Sequence, residues 1–192
     1  VSLAAARAGA ASSGMELFRY LGGTGAFHLP VMCPNLISGS TTAGNELDFE
    51  DYLIVPYGFD TARESLSASV EIFHELHALL KKRFGPVPQI TALAPPAESN
   101  EEIFDILMNA IENAGYSGKV GFGLDVASGL IYDEKKDVYK MRAGDMTREE
   151  LISYYSELSG KYPLVFIEDG LHEDDFEGFA LKIGRASCRE RV

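Results

Sequence analysis

The chain has 192 residues, 46% of them hydrophobic and 24% charged, which suits a folded core and excludes a disordered chain. A net charge of −12 excludes general binding to nucleic acid or to an anionic membrane, since both need basic patches. Apolar runs stop well short of the ~18 residues a membrane-spanning helix requires, and Val1 to Ala8 lacks the pattern of a secretory leader. Only Cys33 and Cys188 occur, with no CxxC pair and no zinc spacing, so a reduced, cytoplasmic setting is expected.

In chain order, Val1 to Ala10 reads as an alanine-rich helix and Met15 to Leu21 as a second short one, ended by Gly22-Gly-Thr-Gly25. Leu29 to Ser38 is apolar but carries Pro30 and Pro34, as an edge or bulged strand would. Gly39 to Gly44 reads as a flexible loop and Phe49 to Val55 as the next strand. From Thr61 to Phe84, Leu66, Val70, Phe73, Leu76, Leu79 and Leu80 recur at helical spacing, and Lys81-Lys-Arg83 favours the helix end before Gly85. Pro86 to Pro96 is a loop. Ser99 and Thr147 each cap a helix, to Ala114 and to Gly160, with Glu102 and Glu150 three residues on completing capping boxes. Between them, Val120 to Val126 is a strand and Ile131 to Met141 a hairpin turning at Glu134-Lys-Lys136. Leu164 to Ile167 is a strand, and a helix starts over Asp174 to Ala180. Alternating strands and helices predict an α/β fold.

Asp125 and Glu168 each close an apolar run that reads as a buried parallel strand. Parallel sheets carry their chemistry at the carboxyl ends of the strands, so two acids there point to a divalent-metal site at the mouth of a β/α barrel. On the residues alone, a strand-end cap at Asp125 and a lysine pair at Glu168 is the simpler reading. His74 and His77 fit solvated helix positions. His172, four residues past Glu168, is the one histidine near the mouth, and a place against the substrate stays open for it. Residues 183–192 differ in composition from the rest, with three Arg and one Glu. Their back-translation resembles a sequencing-library adaptor, and they are set aside as an adaptor-derived tail.

Several strings resemble enolase in order and spacing. They are Val1-Ser-Leu-Ala-Ala-Ala-Arg-Ala8, Leu29-Pro-Val31, Ala43-Gly-Asn45, Lys82-Arg-Phe-Gly85, Ala114-Gly-Tyr-Ser-Gly-Lys119, Gly123-Leu-Asp-Val-Ala-Ser128, Tyr162-Pro-Leu-Val-Phe-Ile-Glu-Asp169 and Glu173-Asp-Asp-Phe-Glu177. The resemblance implies a partial enolase-type β/α (TIM-like) barrel over residues 29–182, preceded by the helical end of the family's amino-terminal domain over residues 1–28. It implies an Mg²⁺-dependent lyase that interconverts 2-phosphoglycerate and phosphoenolpyruvate, a small phosphorylated carboxylate substrate, and a homodimeric full-length protein. No nucleic-acid or membrane partner is expected. Asp125 and Glu168 match two of the family's three metal carboxylates, Glu168 also lying against substrate. Asp51 matches a catalytic acid, and Thr42 and Glu50 match substrate-contacting positions.

Four departures accompany the match. Thr42 stands where the family has a histidine, and it can hydrogen-bond but not titrate near neutrality. Glu50-Asp51 replaces a Gln-Glu pair. Pro88-Gln-Ile-Thr-Ala92 replaces a Gly-Asp-Glu-Gly-Gly loop, which puts Ile90 at the position of a catalytic acid. Gly170 replaces a proline. The family's third metal ligand, catalytic lysines and phosphate-binding groups find no match within these residues, so the chain by itself is expected to be inactive. The departures keep two alternatives open: a paralogue acting on another carboxylate or phosphonate substrate, and a non-catalytic enolase-like interaction protein.

Overall fold

The structure, a computed structural model, describes residues 1–25 and 29–185 and divides into two compact units, Val1–Pro30 and Val31–Val192. In the first unit, alanine-rich helix α1 (Ser2–Ser12) packs on α2 (Leu17–Gly22), followed by a 3₁₀ turn over Gly23–Gly25. Gly9 is what permits that contact, because a Cβ there would collide with the Tyr20 ring.

The second unit is built on a four-stranded sheet of β1 (Asn35–Ser38), β2 (Asp51–Val55), β3 (Gly121–Asp125) and β7 (Leu164–Glu168), hydrogen-bonded in that order. The two strands that Asp125 and Glu168 close, β3 and β7, run parallel to each other, as expected. Strand β2 runs antiparallel to both of its neighbours. The connection from β1 to β2 is short and returns the chain directly, whereas β2 reaches β3 through α4 (Ala62–Phe84) and α5 (Asn100–Asn113). A three-stranded sheet of β4 (Tyr132–Asp133), β5 (Val138–Met141) and β6 (Gly144–Met146) follows, then α6 (Arg148–Lys161). The expected hairpin thus gains a third strand, since Gly144 at φ 128° lets the chain reverse again. Helix α7 (Phe176–Arg185) runs three residues into the segment set aside as adaptor-derived; residues 186–192 of that segment lie outside the described residues. So does His28. Among the described residues no helix is long and apolar enough to cross a membrane.

Side-chain alternation on the sheet sets its two faces. Tyr52 pairs with Leu124 and Ile54 with Phe122, and all four are fully buried beside Leu76 of α4, Phe104 and Leu107 of α5 and Tyr155 of α6. Phe104 stacks on Tyr162 at 4.8 Å between ring centres and meets Tyr52 edge-on at 5.6 Å. The opposite face of β3 carries Gly121 and Gly123. A Cβ on Gly123 would strike the Phe166 ring, so this glycine makes room for a large β7 side chain on the face that ends in Asp125.

Three local expectations change. Residues Ser40–Ala43 form one helical turn, α3, rather than a flexible loop, closed by Gly44 in the left-handed conformation. At Ser99 only half the capping box forms: its hydroxyl accepts from the Glu102 N–H, but the Glu102 carboxylate accepts from the Glu98 N–H and pairs with Arg83. The complete boxes are at Thr61–Glu64 and Thr147–Glu150. On α4, Leu66 and Val70 turn away from the core and, with Phe73, line a groove against Met32, Cys33, Pro34 and Leu36; Ser65, Ala68, Ser69 and Ile72 take the inward face, where small residues allow a close approach.

Buried Asn100 opens α5 and joins three elements. It accepts from the Tyr52 hydroxyl at 2.6 Å and donates to Asp48 at 3.0 Å and to the Tyr154 hydroxyl at 3.2 Å. Asn100→Ala takes the side-chain acceptor from the Tyr52 hydroxyl and the donor from Asp48 Oδ2, leaving Asp48 Oδ1 on the Arg142 N–H, and the expected cost in urea denaturation is about 2–4 kcal/mol. A loss below about 1 kcal/mol, the net value of one ordinary hydrogen bond, contradicts this role.

Candidate functional site

Reversal of β2 puts its first residue level with the last residues of its neighbours. Ser38 pairs with Asp51, Asp51 with Asp125, and Asp125 with Glu168, so the four form one row along a single edge of the sheet. The chain turns sharply just past this row. Ser40, Ala127 and Asp169, none of them glycine, have φ of 61°, 48° and 44°. Such strained residues concentrate where a structure must hold side chains in a fixed arrangement.

Asp51, half-buried, is held through one oxygen. Its Oδ1 accepts from Asn35 Nδ2 and, at 2.9 Å, from Ser38 Oγ; Asn35 Nδ2 also reaches Ser38 Oγ at 3.0 Å. Among the described residues no hydrogen bond engages Asp51 Oδ2. Ser38 Oγ lies 3.1 Å from Thr91 Oγ1, which is brought there because Leu93 bridges to Ile37 and exchanges backbone hydrogen bonds with Leu36 and Ser38. Asn45 ties the same loops together, donating to the carbonyls of Ser38 and Pro95.

Asp125 Oδ1 accepts from the Ala127 N–H at 3.1 Å, so the strand-end cap is present. Partial burial pushes its carboxyl pKa up; the Ala127 hydrogen bond opposes this, and the negative charges of Glu168, Asp169 and Glu50 push it further up. The lysine partner that the residues alone allowed for Glu168 is absent: among the described residues neither acid forms an ion pair. Glu168 itself is exposed. Acids gathered without a compensating side-chain cation favour a bound one, and hard oxygen donors suit Mg²⁺, which takes one or two protein carboxylates and keeps several waters. Among the described residues, no group of three or more His, Cys, Asp or Glu is placed to hold a metal ion. Asp125 and Glu168 are two oxygen donors of the type that Mg²⁺ takes.

The remaining expected positions fall around the row. Glu50 is half-buried beside Asp51, close enough to act on Asp125. Thr42 is exposed on α3, within 3.5 Å of the Ser40 hydroxyl. Ile90 is 62% exposed and carries no polar atom on its side chain. His74 and His77 are solvated on α4. His172 stacks on Tyr132 with ring centres 4.1 Å apart, and its backbone N–H donates to the Tyr139 hydroxyl at 3.2 Å, fixing it against the small sheet. Asn35, Ser38 and Thr91 were missed in the sequence. The signal existed in the alternation of β1 and in Thr91 beside Ile90, but using it required the direction of β2.

Residues 26–189 match the family described as enolase, C-terminal TIM barrel domain. The chain is 47% identical over 186 residues to the enolase of Methanopyrus kandleri, covering 94% of this chain and 44% of that protein. It is 42% identical over 193 residues to the enolase of Aeropyrum pernix, and 42% identical over 196 residues to that of Rubrobacter xylanophilus. The chain spans less than half the length of these curated relatives, 44% and 46% of the last two. The fold described above is an α/β portion of that barrel, its sheet not closed on itself.

The raised Asp125 pKa fixes a sign. The folded chain holds the proton more tightly than the unfolded one, so stability falls as pH rises from the ordinary value of 3.8 through the folded value, and the penalty is fully present above it. Asp125→Asn keeps an oxygen for the Ala127 N–H and removes the charge. In metal-free buffer it is expected to raise Tm at neutral pH, with the advantage vanishing below the ordinary carboxylate value. A variant with lower Tm than wild type at neutral pH contradicts the repulsive cluster.

Proposed function

Because the chain belongs to the enolase family, we propose that the complete protein is an Mg²⁺-dependent lyase that reversibly dehydrates 2-phosphoglycerate to phosphoenolpyruvate. The observation that carries this reading is the row of Asp51, Asp125 and Glu168 at one sheet edge, with no ion pair to any of them among the described residues. In it, Asp125 and Glu168 hold the Mg²⁺, whose chemistry when bound is to offset the negative charge that develops on the substrate carboxylate. Glu168 also orients the substrate at the exposed end of the row. Asp51, with Oδ1 fixed, carries a proton on Oδ2 in the dehydration direction and gives it to the departing hydroxyl, which leaves as water; in the reverse direction Asp51 takes the proton back. Thr42 donates a neutral hydrogen bond to the substrate, and Glu50 adds negative charge behind Asp125 that strengthens cation binding.

Residues 1–28 then correspond to the end of the family's amino-terminal domain, 29–182 to the first half of its barrel, and the tail from 183 to adaptor sequence. The complete protein works in the cytoplasm as a homodimer, and this chain alone is inactive.

A second reading has its own observation. Ile90, with no proton to give, stands where the family carries an acid, and Thr42 stands where it carries a histidine. Loss of both supports a paralogue acting on a different carboxylate or a phosphonate. Assay of the complete reading frame for Mg²⁺-dependent phosphoenolpyruvate formation separates the two: ordinary turnover is expected for the first reading, and none for the second. For the metal, calorimetry is expected to show Mg²⁺ affinity falling at least ~10-fold in Asp125→Ala and in Glu168→Ala. Unchanged binding in both variants removes the assignment.

A further inference from the structure

The hydrogen bonds around Asp51 have a fixed direction. An ionised carboxylate only accepts, so the single Ser38 proton points to Asp51 Oδ1. Toward Thr91, Ser38 can then only accept, and the Thr91 hydroxyl must donate. Both protons of Asn35 Nδ2 are spent on Asp51 and Ser38, so Ser38 Oγ gives one hydrogen bond and receives two. Asn35 Oδ1, on the other end of the amide, is buried without a partner. Turning the amide over would aim that oxygen at the Asp51 carboxylate, so the orphan oxygen is the cost of keeping two donors on the network.

We propose that Thr91 is a positioning residue for Asp51, acting through the Ser38 hydroxyl. This rests on the reading of Asp51 as the group that exchanges the substrate proton. The exposed loop that has lost an acid at Ile90 thus still reaches the site through the next residue. By donating to Ser38, Thr91 removes the competing rotamer in which Ser38 points its proton at Thr91 instead of Asp51. Asp51 Oδ1 is then held and Oδ2 alone faces the reactants.

Thr91 is exposed, so Thr91→Val, which replaces the hydroxyl with a methyl group of similar size, leaves the fold intact. In the complete protein, Thr91→Val is expected to lower kcat about three- to tenfold with KM changed less than about twofold, and Thr91→Ser to restore most of it. In a Ser38→Ala background, Thr91→Val should cost nothing more. A further loss there means that Thr91 touches substrate directly and overturns the positioning role, as does full kcat in Thr91→Val. A second readout needs no substrate. The carbon-13 carboxylate resonance of Asp51, assigned by its disappearance in Asp51→Asn, is expected to move in Thr91→Val, return in Thr91→Ser, and stay put when Thr91→Val is added to Ser38→Ala. No movement overturns the proposal whether or not turnover is seen. Movement in a protein that makes no phosphoenolpyruvate sustains the positioning of Asp51 and removes only the lyase reading.

Discussion

Reversal of β2 between two strands that run the other way is the constraint on which the mouth of this sheet depends. Neighbouring strands lie ~4.8 Å apart, so the row from Ser38 to Glu168 extends on the order of 14 Å along one edge. Were β2 parallel to its neighbours, Asp51 would sit at the far edge, a strand's length from Asp125. Reversal also sets what each acid meets. Asp51 gains Asn35 and Ser38 from the two ends of β1, Asp125 gains the Ala127 N–H, and Glu168 is left exposed.

A row of acids does not hold itself together, and the opposite face of the sheet supplies the stability. Tyr52 and Leu124 lie on that face one position along the strand from the polar row, Ile54 and Phe122 three positions along, and all four are fully buried against α4, α5 and α6. Fully burying such side chains is worth about 1.5–3 kcal/mol each, enough to offset mutual repulsion between partly solvated carboxylates. Asn100 anchors the start of α5 to Tyr52 and thereby fixes β2 lengthwise, which in turn fixes where Asp51 falls. Gly123 contributes by leaving room for Phe166, so that β7 can pack with Glu168 level with Asp125.

Much of this was legible in local sequence. Helices α5 and α6 announce themselves through Ser99 and Thr147 and end close to where the glycines predict. The strand ends at Asp125 and Glu168 follow from apolar runs that stop at an acid. Strand direction was not legible, because alternation in Phe49 to Val55 is the same read either way; only pairing with Gly121–Asp125 decides it. The outward turn of Leu66 and Val70 escaped for a related reason. Helical spacing marks an apolar stripe, but Ser65, Ala68 and Ser69 won the inward face because their small size lets α4 approach closely. Thr91 escaped because its role depends on a bridge between Leu93 and Ile37, 56 positions apart in sequence only through the fold's return path.

In the proposed reading the cation lies at Asp125 and Glu168, and the departures from the family pattern bear on turnover more than on that cation. Neither Ile90 nor Thr42 carries a group that titrates near neutrality, while the negative charges of Glu168, Asp169 and Glu50 remain close to Asp125. Titration with Mn²⁺, a hard ion of the same oxygen preference as Mg²⁺, tests that claim most directly through paramagnetic broadening of backbone amides. Broadening confined at low Mn²⁺ to the segments around Asp51, Asp125 to Ser128 and Glu168 to Gly170, and reversed by excess Mg²⁺, is the expected result. Broadening centred elsewhere, or none at those segments, contradicts a cation site at the edge that the reversed strand creates.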